Sequence, residues 1–196
     1  GQQGSILAAA GARVTILDNS PRQLAQDATV THREQLDITL DEGDMRDLSR
    51  YSDGSFDLVF NPCSVLFVPE VRSVWRECYR VLRPGGILMT GFLNPATYVF
   101  DRVKMEDGIF EARHKLPYSD LQLSAKQREK LFGQDEPVEF SHTLTDLVGG
   151  QLAAGYQSTD LYEENFGDPR SHNPDIPGPI PTGAGSGTPG GSHPST

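Results

Sequence analysis

The chain has 196 residues, enough for one domain with a substantial core, and a formal net charge of −10. This acidity disfavours nonspecific binding to nucleic acid, which depends on a basic surface. Two cysteines, Cys63 and Cys78, are too few for a disulfide framework or a cysteine-based metal site, so we expect a reducing, cytoplasmic setting. We also expect no secretory leader and no membrane span, because no apolar run reaches the necessary length.

The beginning of the chain predicts a helix, a short strand and an acidic residue at the end of that strand. Residues 1–10 open a helix, Gly11 breaks it, and residues 13–17 form a strand that ends on Asp18. This spacing is typical of the second half of a βαβ unit that binds a dinucleotide or nucleoside, in which the acid accepts hydrogen bonds from ribose hydroxyls. The strand that should lead into Gly1 is missing, so we expect a fragment.

Strands alternate with helices through the next seventy residues. A helix begins after the turn at residues 19–21, and a short strand spans residues 36–40. The dense apolar run at residues 56–60 predicts a central parallel strand buried on both faces. A helix over residues 69–82, with apolar positions three and four apart, precedes a strand over residues 87–92. The alternation predicts an open α/β sheet with right-handed crossovers.

The second half of the chain is less regular. Residues 94–140 form an insertion after the C-terminal end of a strand, where open α/β sheets bind ligands, so the insertion either covers a substrate or is a surface lid without specific contacts. A helix over residues 143–154 and a strand near residues 156–162 follow. Of the last 30 residues, 14 are Gly or Pro, so we expect this tail to be disordered. The expected segments are therefore a core, a lid with the C-terminal part of the same domain, and the tail: 1–92, 93–166 and 167–196.

Three predicted loops follow the C-terminal ends of successive strands. They contain Asp18, the pair Asp44-Met45 and the pair Asn61-Pro62. Because a parallel sheet places these ends along one edge, the loops can converge on a single crevice. Asp18 has the chemistry to accept two hydrogen bonds from a ribose diol, and Asp44 can accept one from an adenine amine. An Asp at a strand end is also a common turn former, so the prediction depends on the joint order of the three sites.

Four motifs in order resemble those of the class I S-adenosylmethionine-dependent methyltransferases. They lie at residues 16–21, 42–48, 55–60 and 79–86. The resemblance covers residues 1 to about 92 and extends more loosely to about residue 162. It implies a Rossmann-like, doubly wound, mostly parallel α/β sheet that binds S-adenosyl-L-methionine and methylates a small-molecule acceptor. In this chain the sheet lacks its first strand, and no strand is readable where its last strand should be.

The resemblance also implies roles for individual residues. Gly1 matches the last glycine of the loop that passes the methionine part of the cofactor, and Asp18 matches the acid that holds the ribose. Asp44-Met45 matches the pair at the adenine, and Asn61-Pro62 begins the loop that faces the sulfonium and the acceptor. Residues 83–86 match a structural turn before the fifth strand. The cofactor-binding residues expected from the resemblance are Gly1, Asp18, Asn19, Asp44, Met45, Asn61 and Pro62.

Candidates for catalytic residues are weaker. The family's reaction is an in-line displacement from the sulfonium, which depends on proximity and alignment more than on a strong catalyst. His114 and Tyr118 are candidates for orienting or deprotonating the acceptor, although a single His in a loop is more often a surface residue. We expect Cys63 to be a buried apolar filler beside the pocket and His142 to be a helix cap or surface residue. No metal site is expected.

Two alternatives to methyl transfer stay open. One is a non-catalytic remnant or partner-binding fragment, favoured by the missing first strand. The other is an NAD(P)-dependent oxidoreductase, which shares the ribose acid. The oxidoreductase is disfavoured by the adenine-type motif at residues 43–45 and by the absence of a Tyr-x-x-x-Lys pair. With part of the cofactor floor missing, we expect the isolated chain to bind the cofactor weakly or not at all.

Overall fold

A computed structural model describes residues 2–133 and 137–163. The chain divides into two compact units, Gly1–Gln157 and Ser158–Thr196. In the second unit, the described residues 158–163 form no helix or strand. The predicted tail at residues 167–196 lies outside the described residues, as does Gly1. None of the described helices has the length and apolar content needed to cross a membrane.

The regular elements alternate as the sequence predicts. The strands are β1 (Val14–Asp18), β2 (Ile38–Glu42), β3 (Phe56–Pro62) and β4 (Leu82–Gly91). The α-helices are α1 (Gln2–Ala9), α2 (Pro21–Arg33), α3 (Val71–Val81), α4 (Arg102–Glu106), α5 (Ala125–Phe132) and α6 (Gly150–Ala154). Short 3-10 turns span Ser64–Phe67, Pro95–Val99 and Asp120–Gln122, and a π-helical turn over Thr145–Gly149 leads into α6.

The strands form two separate parallel pairs. β1 pairs with β2, and β3 pairs with β4. This confirms the α/β class with parallel strands, and it agrees with the expectation that a first strand between the two groups is lacking. Among the described residues, the second edge of β1 and the second edge of β3 have no strand partner. The two pairs must therefore be held together by contacts other than a shared sheet.

The prediction that β3 is buried on both faces is wrong. Leu58 and Phe60 are 37% and 40% exposed, and their cross-strand partners on β4, Ile87 and Met89, are exposed on the same face. The physical reason is that the described residues pack a helix against only the other face, where Val59 joins the core. A continuous apolar run of this kind predicts a buried strand, but the run alone does not show whether helices cover one face of the strand or both.

Two strand boundaries and one whole strand differ from the prediction. The strand expected at residues 36–40 lies two residues later, and β4 begins directly after α3, so residues 83–86 are a bulge within the β3–β4 pair rather than a turn before it. Gly86 permits this bulge, because a Cβ there would lie 2.9 Å from the Arg83 carbonyl oxygen. The close approach of the Arg83 backbone to residue 86 therefore requires glycine at this position.

The strand expected near residues 156–162 is absent from the described structure. Gly155 ends α6 in the left-handed region at φ 112°. The Tyr156 ring then packs edge-to-face on Tyr79 of α3, with ring centroids 5.1 Å apart. The aromatic residue that suggested a strand is therefore used in packing against a helix.

The core lies between α3 and one face of the β3–β4 pair. The predicted apolar face of α3 is buried, and it begins after the Glu70 carboxylate, which accepts hydrogen bonds from two backbone N–H groups of the first turn. The buried core residues of α3 are Val71, Val74, Trp75, Cys78 and Val81. Leu48 and Leu147 join them from other parts of the chain.

Gly150 lets α6 pack closely on the buried Trp75. A Cβ at this position would lie 2.8 Å from Trp75 Cδ1 and 3.2 Å from its Nε1. The indole is also held in place, because Nε1 donates a hydrogen bond to the Asp146 carbonyl oxygen at 2.9 Å. The neighbouring Gly149 has no such constraint, since the nearest atom to its Cβ position is 3.8 Å away, on Thr145.

We therefore expect two adjacent substitutions to differ in their effect on stability. Gly150→Ala should lower the free energy of unfolding by about 1–3 kcal/mol, because the new methyl group overlaps a rigid indole. Gly149→Ala, at a helical φ of −62°, should be neutral or raise it by up to about 1 kcal/mol. Urea denaturation of both variants checks this, and equal effects would show that the close contact with Trp75 is not a constraint.

Candidate functional site

Asp18 is the last residue of β1, and only one of its two carboxylate oxygens accepts a hydrogen bond from the described residues. Its Oδ1 accepts a hydrogen bond from the Ser20 N–H at 2.8 Å, and Ser20 Oγ caps α2 by accepting from the Gln23 N–H. Asp18 Oδ2 accepts no hydrogen bond from the described residues. The side chain is half-buried, whereas Asn19 beside it is exposed. Asp18 therefore has the turn-forming role expected of such a residue and one oxygen left for a ligand.

Asp44 lies in the loop after β2 and is already paired. The Arg46 guanidinium binds both of its carboxylate oxygens, with Nη2 at 2.5 Å from Oδ2, and the Arg46 N–H donates to Oδ1 at 2.8 Å. These hydrogen bonds hold the pKa of Asp44 below its usual value. An adenine amine at this position would therefore have to share the carboxylate with Arg46.

Met45 and Asn61 bring the loop after β2 against the end of β3. Asn61 Nδ2 donates to Met45 Sδ at 3.7 Å, so two of the residues expected at the cofactor are in direct contact. Asn61 is 8% exposed, and its Oδ1 is buried with no hydrogen-bond partner among the described residues. An unpaired buried acceptor is unfavourable, so it marks a position where a ligand donor would be stabilising. Pro62, the next residue, is exposed and pairs with Gly91 at the end of β4.

The expectation that Cys63 is a buried filler is wrong. Cys63 is exposed and has a left-handed backbone at φ 58°, and its N–H donates to the Gly91 carbonyl oxygen at 2.9 Å. This conformation turns the chain out of β3 and into the 3-10 turn at residues 64–67, which leaves the side chain outside the core.

Two residues of α3 hold the loop after β2 in place, and we call Glu77 and Arg80 the α3 clamp. Glu77 Oε2 accepts a hydrogen bond from the Leu48 N–H at 2.9 Å, while Arg80 Nη2 donates to the Leu48 carbonyl oxygen at 2.8 Å. Arg80 also donates to the Tyr51 carbonyl oxygen at 2.9 Å and pairs with Glu77. The clamp thereby satisfies both backbone groups of Leu48, whose side chain is in the core.

His114 and Tyr118 lie against each other in the middle section of the chain. Their ring centroids are 4.6 Å apart, and the buried Tyr118 hydroxyl donates to Asp120 Oδ1 at 2.9 Å. Burial raises the pKa of Tyr118, and the hydrogen bond to Asp120 adds to this effect. Among the described residues no group of three or more His, Cys, Asp or Glu side chains has an arrangement that suits a metal ion.

A cleft opens where the chain leaves β3 and β4, and sequence reasoning did not find its polar residues. The expectation that His142 is a cap or surface residue is wrong, because His142 lines this cleft and its Nε2 lies 3.0 Å from the Val65 carbonyl oxygen. Ser141, beside it, is 5% exposed and its hydroxyl has no partner in the described structure. The lining residues are Val65, Leu66, Phe92, Leu93, Pro95, Tyr98, Phe140, Ser141, His142 and Leu147.

Comparison with known proteins identifies the fold and its relatives. The profile of a family described as methyltransferase domain matches residues 1–90. The chain is 44% identical over 168 residues to an uncharacterized methyltransferase, YbaJ, of Bacillus subtilis. Residues 1–90 of this chain belong to the methyltransferase-domain family. The alignment covers 85% of this chain and 66% of the B. subtilis protein. The chain therefore spans slightly less than two thirds of the length of that relative.

A solved structure agrees with the fold, and a further relative agrees with the family. The structure resembles that of an S-adenosylmethionine-dependent methyltransferase from Mesorhizobium loti, with a TM-score of 0.54 and 18% identity over 73% of this chain and 62% of that one. A stretch of 88 residues is 36% identical to the chloroplastic 2-methyl-6-phytyl-1,4-hydroquinone methyltransferase 2 of Oryza sativa subsp. japonica, covering 44% of this chain and 24% of that protein. The longer alignment to the B. subtilis protein necessarily includes residues 94–140, so this section is shared with a relative.

The α3 clamp predicts a pH-dependent contribution to stability. The hydrogen bond from Arg80 is the main cause that lowers the pKa of Glu77 in the folded chain. The ionised Glu77 carboxylate therefore stabilises the fold fully above its unfolded pKa, near 4.5, and this stabilisation is lost as the pH falls through the folded pKa. We expect Glu77→Gln to lower the free energy of unfolding by about 1–3 kcal/mol at pH 7. The difference from the native chain should narrow as the pH falls from 7 to 3.

Urea denaturation across this pH range measures the effect. Glu129→Gln is the matched control, because Glu129 is an exposed residue of α5, and it should leave stability unchanged at each pH. A difference between Glu77→Gln and the native chain that stays constant down to pH 3 would contradict the clamp.

Proposed function

We propose that this chain carries out S-adenosylmethionine-dependent methyl transfer to a small-molecule acceptor, with the adenosine part of the cofactor held by the loops after β1, β2 and β3. The observation that carries the proposal is the contact between Met45 and Asn61, which joins the loop after β2 to the end of β3. The loop after β1 is tied to the loop after β2, because the Gly43 N–H donates to the Asp18 carbonyl oxygen at 3.1 Å.

The polar groups available in these loops suit an adenosine. Asp18 Oδ2 would accept hydrogen bonds from the ribose hydroxyls, and this charge-assisted pairing would be stronger than a bond between neutral groups. Asp44 and the backbone at Met45 would contact the adenine edge, and Asn61 Oδ1 would accept from a cofactor N–H or O–H. When bound, the cofactor supplies the electrophilic methyl group. The task of the chain is then to hold both reactants in line.

The proposed acceptor is a small molecule, and we propose that the middle section, which follows the ends of β3 and β4, contacts it. The cleft at these strand ends has mostly apolar walls, and its volume of about 10 Å³ holds about one water molecule, so it is not itself the acceptor site. The rice relative is named as a methyltransferase of a phytyl-substituted hydroquinone, which supports a small-molecule acceptor as opposed to a macromolecule. The contacts of His114 and Tyr118 favour a supporting role, because the Tyr118 hydroxyl is already donated to the buried Asp120.

Weak cofactor binding by the isolated 196-residue chain is the second part of the proposal. The described residues supply partners for the ribose and the adenine, whereas the methionine side of the family's site falls on Gly1, outside them. Among the described residues the second edges of β1 and β3 have no strand partner, which favours the alternative of a non-catalytic, partner-binding chain. We therefore propose a Kd of about 1 mM, which corresponds to a binding free energy of about −4 kcal/mol.

Titration with S-adenosylhomocysteine, followed by ligand-observed NMR, tests both parts. We expect a Kd of about 1 mM for the native chain and roughly tenfold weaker binding for Asp18→Asn, because the amide loses the charge-assisted bonds to the ribose. Asp18→Asn keeps an oxygen for the Ser20 N–H, so the turn into α2 is retained.

Asp37→Asn is the matched control, since Asp37 is an exposed acid outside these loops and should bind the ligand as the native chain does. Micromolar binding by the native chain would overturn the weak-binding proposal. Equal binding by Asp18→Asn and the native chain would overturn the assignment of the ribose site, and a stronger response to NAD⁺ would favour an oxidoreductase.

A further inference from the structure

We propose that Arg46 fills the carboxylate of Asp44 and must leave it before Asp44 binds the amine of an adenine, so that Arg46 determines how strongly the site selects an amine-bearing base. This inference rests on the proposed function, because Asp44 lies in one of the proposed cofactor loops. It goes beyond that function in assigning the control of base recognition to a residue that competes with the ligand.

The carboxylate of Asp44 is filled by a single neighbouring residue. The Arg46 backbone N–H donates to Oδ1 at 2.8 Å, Nε lies 3.0 Å from both oxygens, and Nη2 donates to Oδ2 at 2.5 Å. An ionised carboxylate accepts about four hydrogen bonds in total. These contacts therefore leave no acceptor position for the exocyclic amine of adenine, which is only a donor.

The backbone of the loop keeps Arg46 beside Asp44. The Asp47 N–H donates to the Asp44 carbonyl oxygen at 3.0 Å and closes a turn over residues 44–47. Within it, the bond from the Arg46 N–H to the Asp44 side chain is of the kind that stabilises turns locally. The next residue, Leu48, is fixed by the α3 clamp through both of its backbone groups. The turn therefore holds the guanidinium beside the carboxylate before any ligand arrives.

Asp18, the other acid of the proposed site, is open by comparison. Its Oδ1 accepts a hydrogen bond from the Ser20 N–H, and its Oδ2 accepts none from the described residues. The acid proposed for the ribose is thus available, whereas the acid proposed for the base is filled. A nucleoside can therefore bind through its ribose while Arg46 stays on Asp44.

Both members of the ion pair are accessible to a ligand. The side chains of Arg46 and Asp44 are each 40% exposed, so a ligand reaches the pair from solvent and the guanidinium has water to move into. Displacing an exposed ion pair costs up to roughly fivefold in affinity, which corresponds to about 1 kcal/mol. A hydrogen bond from the ligand amine gains a similar amount, so in the native chain the gain and the cost nearly cancel.

Two nucleosides isolate the contribution of the amine. Adenosine and purine riboside, which is adenosine without the exocyclic amine, are titrated into the full 196-residue chain while the backbone amide of Met45 is followed by NMR. We expect the native chain to bind the two nucleosides with affinities within about twofold of each other. Arg46→Met removes the side-chain donors and keeps the backbone N–H bond of the turn. This variant should bind adenosine roughly fivefold more tightly and purine riboside as the native chain does.

Two further variants separate the occupation of Asp44 from a general effect of charge. Arg46→Lys keeps the positive charge but replaces the planar fork with one ammonium group, so adenosine binding should rise only roughly twofold. Arg33→Met is the matched control, because Arg33 forms an exposed ion pair with Glu34 on the end of α2, and it should change neither affinity. Thermal unfolding of each variant checks that the fold is retained.

Two results would overturn the role of Arg46. One is a folded Arg46→Met variant that binds adenosine and purine riboside equally well, whether or not both bind more tightly than to the native chain. The other is a native chain that already prefers adenosine as strongly as Arg46→Met does, since the amine would then find its acceptor with Arg46 in place.

The outcomes for Arg46 and for the cofactor site are separable with Asp18→Asn. Purine riboside binding that depends on Asp18, without a gain in adenosine binding for Arg46→Met, would support the cofactor site and overturn the role of Arg46. A gain for Arg46→Met that does not depend on Asp18 would support the role of Arg46 and contradict the proposed cofactor site. No response of Met45 to either nucleoside in any variant would overturn both.

Discussion

The α3 clamp is the contact on which the site depends. In the described structure β1–β2 and β3–β4 share no hydrogen-bonded edge, so the loop after β2 is held by other means. Glu77 and Arg80 satisfy the N–H and the carbonyl oxygen of Leu48, and the Leu48 side chain fills the core beside α3. With this loop held, Met45 lies against Asn61 at the end of β3, and the adenine and sulfonium sides of the proposed site meet.

The proposed cofactor site has two polar atoms without a partner among the described residues, Asp18 Oδ2 and Asn61 Oδ1. Of these, Asn61 Oδ1 is buried, and a ligand donor there would relieve the cost of the unpaired acceptor. Both atoms suit an adenosine.

The sequence patterns predicted the structural features that are determined by residues close together in the chain. The spacing of apolar residues predicted the buried face of α3, and the strand ending on Asp18 was found because the strand, the acid and the turn are adjacent. Ser141 and His142 were missed because their roles depend on Val65 and Tyr118, which are far away in the chain. The exposed faces of Leu58 and Phe60 were mispredicted for the same reason, since burial depends on what packs against a strand. The strand expected around Tyr156 was replaced by aromatic packing on Tyr79.

The central claim is that three loops from two separate strand pairs form one ligand site. Backbone and side-chain amide NMR spectra of the labelled chain, recorded during a titration with S-adenosylhomocysteine, test it directly. The account predicts that the backbone amides of Ser20 and Met45 and the side-chain amide of Asn61 shift together and follow one binding curve. Shifts confined to one loop, or separate curves for the two strand pairs, would contradict it.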